Sequence, residues 1–187
     1  MKRKIFPSRI YAFLILSLIF IPVSLVGQTS TPDSAQTIVK AALLEAQSAK
    51  KNVFLIFHAT WCGWCKRLEK AINDTAVKPL IDENYILTLL DVQERGDKIQ
   101  TFENPGGQNL MSGYGGGHAG LPFFVFLDKH GKVIANSNAM PKKQNIGYPG
   151  SIEEITAFVN LLKETAPHLT GNQREIIQNY FEVHAPK

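Results

Sequence analysis

Short apolar runs alternate with polar, glycine- and proline-containing stretches along most of the chain. Val53–Phe57, Tyr85–Asp91 and Phe123–Leu127 are too short for buried helices and rich in β-branched and aromatic residues. Each reads as a buried strand. Lys132–Ala135 follows the third run after Asp128-Lys129-His130-Gly131, and the two should pair as a hairpin. Other stretches carry helical spacing. Ile38, Ala42, Leu43 and Ala46 form one stripe and predict a helix over 33–49 that covers one sheet face, with Lys50 and Lys51 at its C-terminal end, where cations are favoured. Leu68, Ile72 and Val77 predict a helix from Cys62 to about Ala76, which Asn73-Asp74 bend or end early. A short helical turn is expected at Pro79-Leu80-Ile81 and a short helix at 108–114.

Two capping boxes mark later helix starts. Ser151 with Glu154 opens a helix whose stripe is Ile152, Ile155, Phe158, Val159 and Leu162, ended by Pro167. Thr170 with Gln173 opens another, over about 170–183, bearing Ile176, Ile177, Tyr180 and Phe181. This last helix is expected to pack back on the core. Residues 105–117 are rich in glycine and are expected to form a flexible loop. The run Gly115-Gly116-Gly117 lacks the Gly-Lys-Ser/Thr ending of a phosphate-binding loop.

The first residues alter the charge picture. Lys2, Arg3, Lys4 and Arg9 precede an apolar run over 10–26. That is the pattern of a secretory signal peptide over 1–27, cleaved near Gly27 and leaving a domain over 28–187. An uncleaved membrane anchor is the alternative, and Pro22 and the modest length argue against it. The chain holds 20 Lys+Arg and 16 Asp+Glu, and four of the cations precede Gly27. The remaining chain is therefore about neutral, and its composition does not point to nucleic acid. About 160 residues suit a single domain with a full core. Export implies a periplasmic or secreted location, where disulfides persist.

The chemistry concentrates in Trp61-Cys62-Gly63-Trp64-Cys65-Lys66, which holds both cysteines of the chain. The pair sits where the first strand hands over to a helix, with Cys62 at or near the helix N-terminus. Unpaired backbone N–H groups and the helix dipole stabilise a thiolate there. A free cysteine of pKa about 8.5 is only ~3% thiolate at neutral pH, whereas such Cys-x-x-Cys cysteines can titrate near 7 or below. As a structural staple the pair closes too small a loop to matter, about 2 kcal/mol. Zinc would need four ligands, and haem attachment would need His where Lys66 stands. A two-electron dithiol–disulfide switch remains. Cys62, nearer the helix start, is the expected nucleophile, and Cys65, one turn further in, the resolving thiol.

His58-Ala59-Thr60-Trp61-Cys62-Gly63-Trp64-Cys65-Lys66 resembles the active-site segment of the thioredoxin superfamily. Gly120-Leu121-Pro122 followed by the hairpin resembles that family's cis-proline segment. The resemblance covers about 52–162. It implies an α/β thioredoxin-like fold, a central mixed β-sheet flanked by helices, here with extra N- and C-terminal helices. It also implies a cis Pro122 facing the disulfide, with Leu121 free to pair with a peptide strand, and Trp61, Gly63 and Trp64 as part of the substrate-contacting surface. Members of the family carry a buried Asp where this chain has Ile56, so proton transfer needs another group. Glu69, on the face of Cys65, is the candidate acid/base; a similar motif occurs in the C-terminal domain of the bacterial membrane thiol-disulfide interchange protein. His58 has two readings, an electrostatic neighbour of Cys62 or a packing residue at the strand end.

The expected function is an exported thiol-disulfide oxidoreductase that reduces protein disulfides as a monomer. It would need no cofactor or metal. Its partners would be protein thiols and disulfides and a redox partner, with no nucleic acid and no stable membrane association after signal cleavage. The alternatives are a redox-sensing binding protein and a disulfide oxidase or isomerase.

Overall fold

The computed structural model describes residues 31–186, so the expected signal segment lies outside the described residues. Four strands form one sheet in the order β2-β1-β3-β4. They are β1 (Asn52–His58), β2 (Tyr85–Asp91), β3 (Phe123–Leu127) and β4 (Val133–Asn136). β1 pairs in parallel with β2 and antiparallel with β3, and β3 pairs antiparallel with β4. The sheet is thus mixed. Helices α1 (Ala35–Ala49), α2 (Gly63–Ile72), α3 (Lys78–Asn84), α4 (Lys98–Thr101), α5 (Gly107–Met111), α6 (Ile152–Thr165) and α7 (Gly171–Val183) surround it.

The central strands β1 and β3 are apolar over Val53–Phe57 and Phe123–Leu127 because both of their faces are covered. The two-residue alternation of a strand divides their side chains between two cores. Phe54, Ile56, Phe124 and Phe126 pack with residues of α2, α6 and α7. Val53, Leu55, Phe57, Phe123, Val125 and Leu127 pack with α1 and Met111. Phe54 stacks on Phe126 with ring centroids 4.6 Å apart and meets Phe124 edge-on at 5.5 Å, geometries that aromatic quadrupoles favour.

Several helix boundaries and faces differ from the sequence reading. α1 starts at Ala35, not at residue 33, because Ser34 is its N-cap and accepts a hydrogen bond from the Thr37 N–H. Its buried face is Ala35, Val39, Ala42 and Ala46, with Ile38 and Leu43 only partly covered. Small alanines let this helix lie close to the sheet, and the bulkier residues flank the contact. α2 ends at Ile72 rather than near Ala76. The Asn73 side chain turns back to the Glu69 carbonyl and Asp74 accepts from the Ala76 N–H, bonds that compete with helix continuation. In α6 Ile152 is 73% exposed and Leu161 takes the inward position. In α7 Ile176 points outward, while Ile177 and Phe181 are buried. The hairpin's second strand is Val133–Asn136, one residue later than expected.

The glycine-rich stretch holds the short helix expected at 108–114, as α5, and a wide helical turn over Ser112–Gly116 takes the place of the flexible loop expected around it. Its glycines serve close packing. A Cβ on Gly116 would lie 2.6 Å from a ring carbon of Phe123, and Gly115 adopts φ +92, a left-handed value that costs glycine little. Asn136 and Asn138 donate side-chain hydrogen bonds to the Tyr114 and Gly115 carbonyls and tie the turn to β4 and its exit.

Both capping boxes form, at Ser151/Glu154 and Thr170/Gln173. Phe181 is fully buried and meets Phe158 edge-on at 5.3 Å, so α7 shares the core of the α2/α6 face. Replacing Phe181 with Ala should therefore cost about 3–5 kcal/mol in urea denaturation. A loss below about 1 kcal/mol, the size of a typical surface change, would show that α7 is dispensable to the core.

Candidate functional site

β1 ends at His58, and Ala59-Thr60-Trp61 turn the chain into α2. Cys62 is the N-cap of α2 in an extended conformation, and its Sγ accepts a hydrogen bond from the Cys65 N–H at 3.1 Å. This placement follows from the strand–helix handover. The first helical N–H groups have no intrahelical partner, and the Cys62 sulfur takes one of them. Cys62 and Cys65 are joined as a disulfide. Both cysteines are buried, Cys62 at 4% exposed and Cys65 at 1%, so the residue nearer the helix start is the slightly more exposed one. Ala59, both cysteines and Leu121 form one small apolar cluster. The Leu121–Pro122 peptide bond is cis. Asn145 donates through Nδ2 to the carbonyls of Gly120 and Pro122 and holds this segment from both sides.

The strand pairing assembles a set of charges under the disulfide. The parallel register sets His58 opposite Asp91. The imidazole then lies between two carboxylates, with Nδ1 2.8 Å from Glu69 Oε1 and Nε2 3.5 Å from Asp91 Oδ1. Glu69 Oε1 is buried and has no aligned hydrogen-bond donor, so the short His58 approach is an ion-pair contact of distance rather than of hydrogen-bond geometry. His58 is therefore a charge-facing residue and not a simple packing residue. Glu94, 5% exposed, accepts from the Thr60 N–H at 2.5 Å and from the Thr60 hydroxyl at 2.8 Å. It clamps the turn that delivers Cys62. Burial raises the Asp91 carboxyl above its ordinary value, His58 draws it back, and Glu94 and Glu69 push it further up.

Both tryptophans are partly exposed, and neighbours hold both. Trp61 donates its indole N–H to the Gln93 carbonyl at 2.8 Å and carries the Arg95 guanidinium 3.8 Å above its ring. Trp64, half exposed, stacks on Tyr148 at 5.8 Å and has Arg67 5.1 Å over its ring. Gly63 has open space where a Cβ would sit, so the surface beside Cys62 is uncrowded. Ile56 is fully buried among the apolar residues that face α2. Among the described residues no group of three or more His, Cys, Asp or Glu side chains is arranged to hold a metal ion.

The structure brings Trp61, Cys62, Gly63, Trp64, Cys65, Leu121 and Pro122 to the C-terminal end of β1, with Glu69 on the same side through His58. The sequence reading missed Asp91, Glu94 and Tyr148. The strand ending in Asp91 was visible in the sequence, but its parallel register against β1 was not. Glu94 carried no signal, because its partner Thr60 lies 34 residues away.

A family model described as thioredoxin-like matches residues 34–129. The chain belongs to the thioredoxin-like family. A protein disulfide-isomerase of Datisca glomerata is 32% identical over 100 residues, which is 49% of this chain and 20% of that protein. The thiol:disulfide interchange protein DsbD of Vibrio vulnificus is 30% identical over 112 residues, 59% of this chain and 17% of that protein. This thioredoxin-like chain thus spans about a fifth of the length of the curated relatives it matches. Among solved structures, a disulphide isomerase of Xylella fastidiosa aligns with a TM-score of 0.47 at 20% identity, covering 89% of this chain and 98% of that one.

The Asp91 environment sets a pH dependence. A raised carboxyl pKa means that the native state holds a proton after the unfolded chain, near 3.9, has lost it. Stability must then fall as pH rises. The stability of the wild type relative to Asp91→Asn should decline upward from about pH 4 and level off once native Asp91 ionises, as read by denaturation at a series of pH values. A relative stability that rises over that range would show that attraction to His58 outweighs burial.

Proposed function

We propose that the chain is an exported thiol-disulfide oxidoreductase that reduces protein disulfides through the Cys62/Cys65 pair. One observation carries the exchange chemistry: Cys62 caps α2 with its sulfur, where backbone N–H groups and the helix dipole favour the thiolate. The reducing direction is taken from the resemblance of Trp61-Cys62-Gly63-Trp64-Cys65-Lys66 to the reducing branch of the family. In the reduced form the Cys62 thiolate attacks one sulfur of a partner disulfide. That S–S bond breaks, a mixed disulfide forms, and the partner's other sulfur leaves as a thiolate that takes up a proton. Cys65 then loses its proton and attacks Cys62 Sγ. The Cys62–Cys65 disulfide forms, and the second partner sulfur leaves and is protonated. Two electrons pass from the pair to the partner.

The second attack needs a base for Cys65, and Ile56 cannot serve. Glu69 is that base in this proposal, with His58 and Asp91 behind it as a path to solvent. Its place four residues after Cys65 on α2 and its contact with His58 support the role. Leu121 offers the partner its backbone, since hydrogen bonds among the described residues engage neither its N–H nor its C=O. Trp61, Gly63, Trp64 and Pro122 frame the contact surface. The names of the relatives, a protein disulfide-isomerase and a thiol:disulfide interchange protein, agree with thiol-disulfide exchange. The proposal includes a signal peptide over 1–27, a periplasmic or secreted location and a monomeric protein.

Insulin reduction with a dithiol donor tests it. Cys62→Ser should abolish turnover, and Cys65→Ser should accumulate a mixed disulfide with the substrate. A redox-sensing binder would show no turnover in the wild type. A reduction potential near −270 mV is expected for a reductase, and one near −120 mV would assign the chain to oxidation instead. Glu69→Gln should slow release of the mixed disulfide by about 10²-fold and move the pH profile of that step. An unchanged profile would remove Glu69 from proton transfer.

A further inference from the structure

A cavity of about 320 Å³ opens beside the disulfide, lined by Trp64, Leu121, Ile146, Tyr148, Gly150 and Pro186 among others. Its walls come from distant parts of the chain. Trp64 stands between the two cysteines and stacks on Tyr148. Leu121 precedes the cis-proline. The far wall belongs to the segment after α7. The Tyr148 hydroxyl donates to the His184 carbonyl at 3.4 Å, and Pro186 lies 3.2 Å from where a Cβ on Gly150 would sit. The C-terminal extension therefore does more than pack on the core; it completes a pocket at the reacting edge.

The chemistry of the lining defines the occupant. Glu154 borders the cavity, but its Oε2 already accepts the N–H groups of Gly150 and Ser151, at 3.0 and 2.9 Å, in the α6 capping box. Its charge is committed, the Ser151 hydroxyl accepts the Glu154 N–H in the same box, and the remaining walls are aromatic, aliphatic, glycine and proline. The volume sits at the small end of the roughly 300–1,000 Å³ of ligand sites, enough for one large side chain. Because Trp64 and Leu121 belong to both the pocket and the disulfide surface, its occupant is joined to whatever chain lies over Cys62.

We propose that this pocket selects partners by taking one apolar or aromatic side chain from the polypeptide stretch flanking the partner's reacting cysteine. The proposal rests on the thiol-disulfide reading above. The test uses the full reduced chain and disulfide-linked model peptides. Phe, Leu, Ser, Asp or Lys is placed in turn at each position within three residues of the reacting cysteine, and the second-order rate constant of reduction is measured. At one position Phe or Leu should react about tenfold faster than Ser. Pro186→Glu and Trp64→Ser should each bring that ratio toward one. Pro186 lies beyond α7, so its variant leaves the Ile177 and Phe181 packing in place, and thermal unfolding checks both variants. A ratio near one at every position in the wild type, or a ratio that survives both substitutions, overturns the pocket. Failure to reduce any of the peptides overturns the oxidoreductase reading and the pocket with it.

Discussion

The site depends on the parallel pairing of β1 with β2, in the register that sets His58 beside Asp91. β1 is apolar from Val53 to Phe57 because helices cover both faces of the sheet, and its burial fixes where the strand ends. The chain leaves the sheet at His58 and enters α2 within a few residues. Cys62 must then sit at the cap of the helix, where the N–H of Cys65 meets its sulfur. A slip of one residue would exchange the two faces of β1 and carry both cysteines away from Leu121. Burial on both faces makes such a slip costly.

The same pairing sets the electrostatics. Two carboxylates, Glu69 and Asp91, flank one imidazole beneath the active-site turn, Glu94 binds Thr60 within that turn, and Lys98 donates to Thr60 at its outer side. Burial raises the cost of ionising Asp91, His58 offsets part of it, and the neighbouring charges of Glu94 and Glu69 add to it. Where other family members place a carboxyl on the active-site strand, this chain has Ile56 deep in the apolar layer. Its ionisable groups stand instead on α2, at the ends of β1 and β2 and in the turn after β2. That arrangement keeps the apolar layer around Ile56 free of charge and gathers the ionisable groups at its edge.

The additions to the central fold are not peripheral. α1 closes one face of the sheet with small residues, and α7 completes the other with Ile177 and Phe181. The glycine-rich stretch, expected as a loop around a short helix, packs closely because Gly116 lets the backbone approach Phe123 where any Cβ would collide. Glycine there answers a packing demand, which is why composition alone misreads it.

The sequence by itself determined the three core strands, the position of the cysteine pair at a strand–helix handover and both capping boxes, while the cis-proline segment was implied by the family resemblance. Each of these is a local pattern: an apolar run, a spacing of three or four residues, a cap and its partner. Tertiary structure alone decided which helix face turned inward, as Ile152 and Ile176 illustrate, since a helix carrying apolar residues on neighbouring faces lets its contacts choose. It also decided that His58 meets Asp91, that Glu94 clamps Thr60 and that Pro186 walls a pocket with Trp64. Those contacts join residues far apart in the chain, and no local pattern encodes a register or a docking angle.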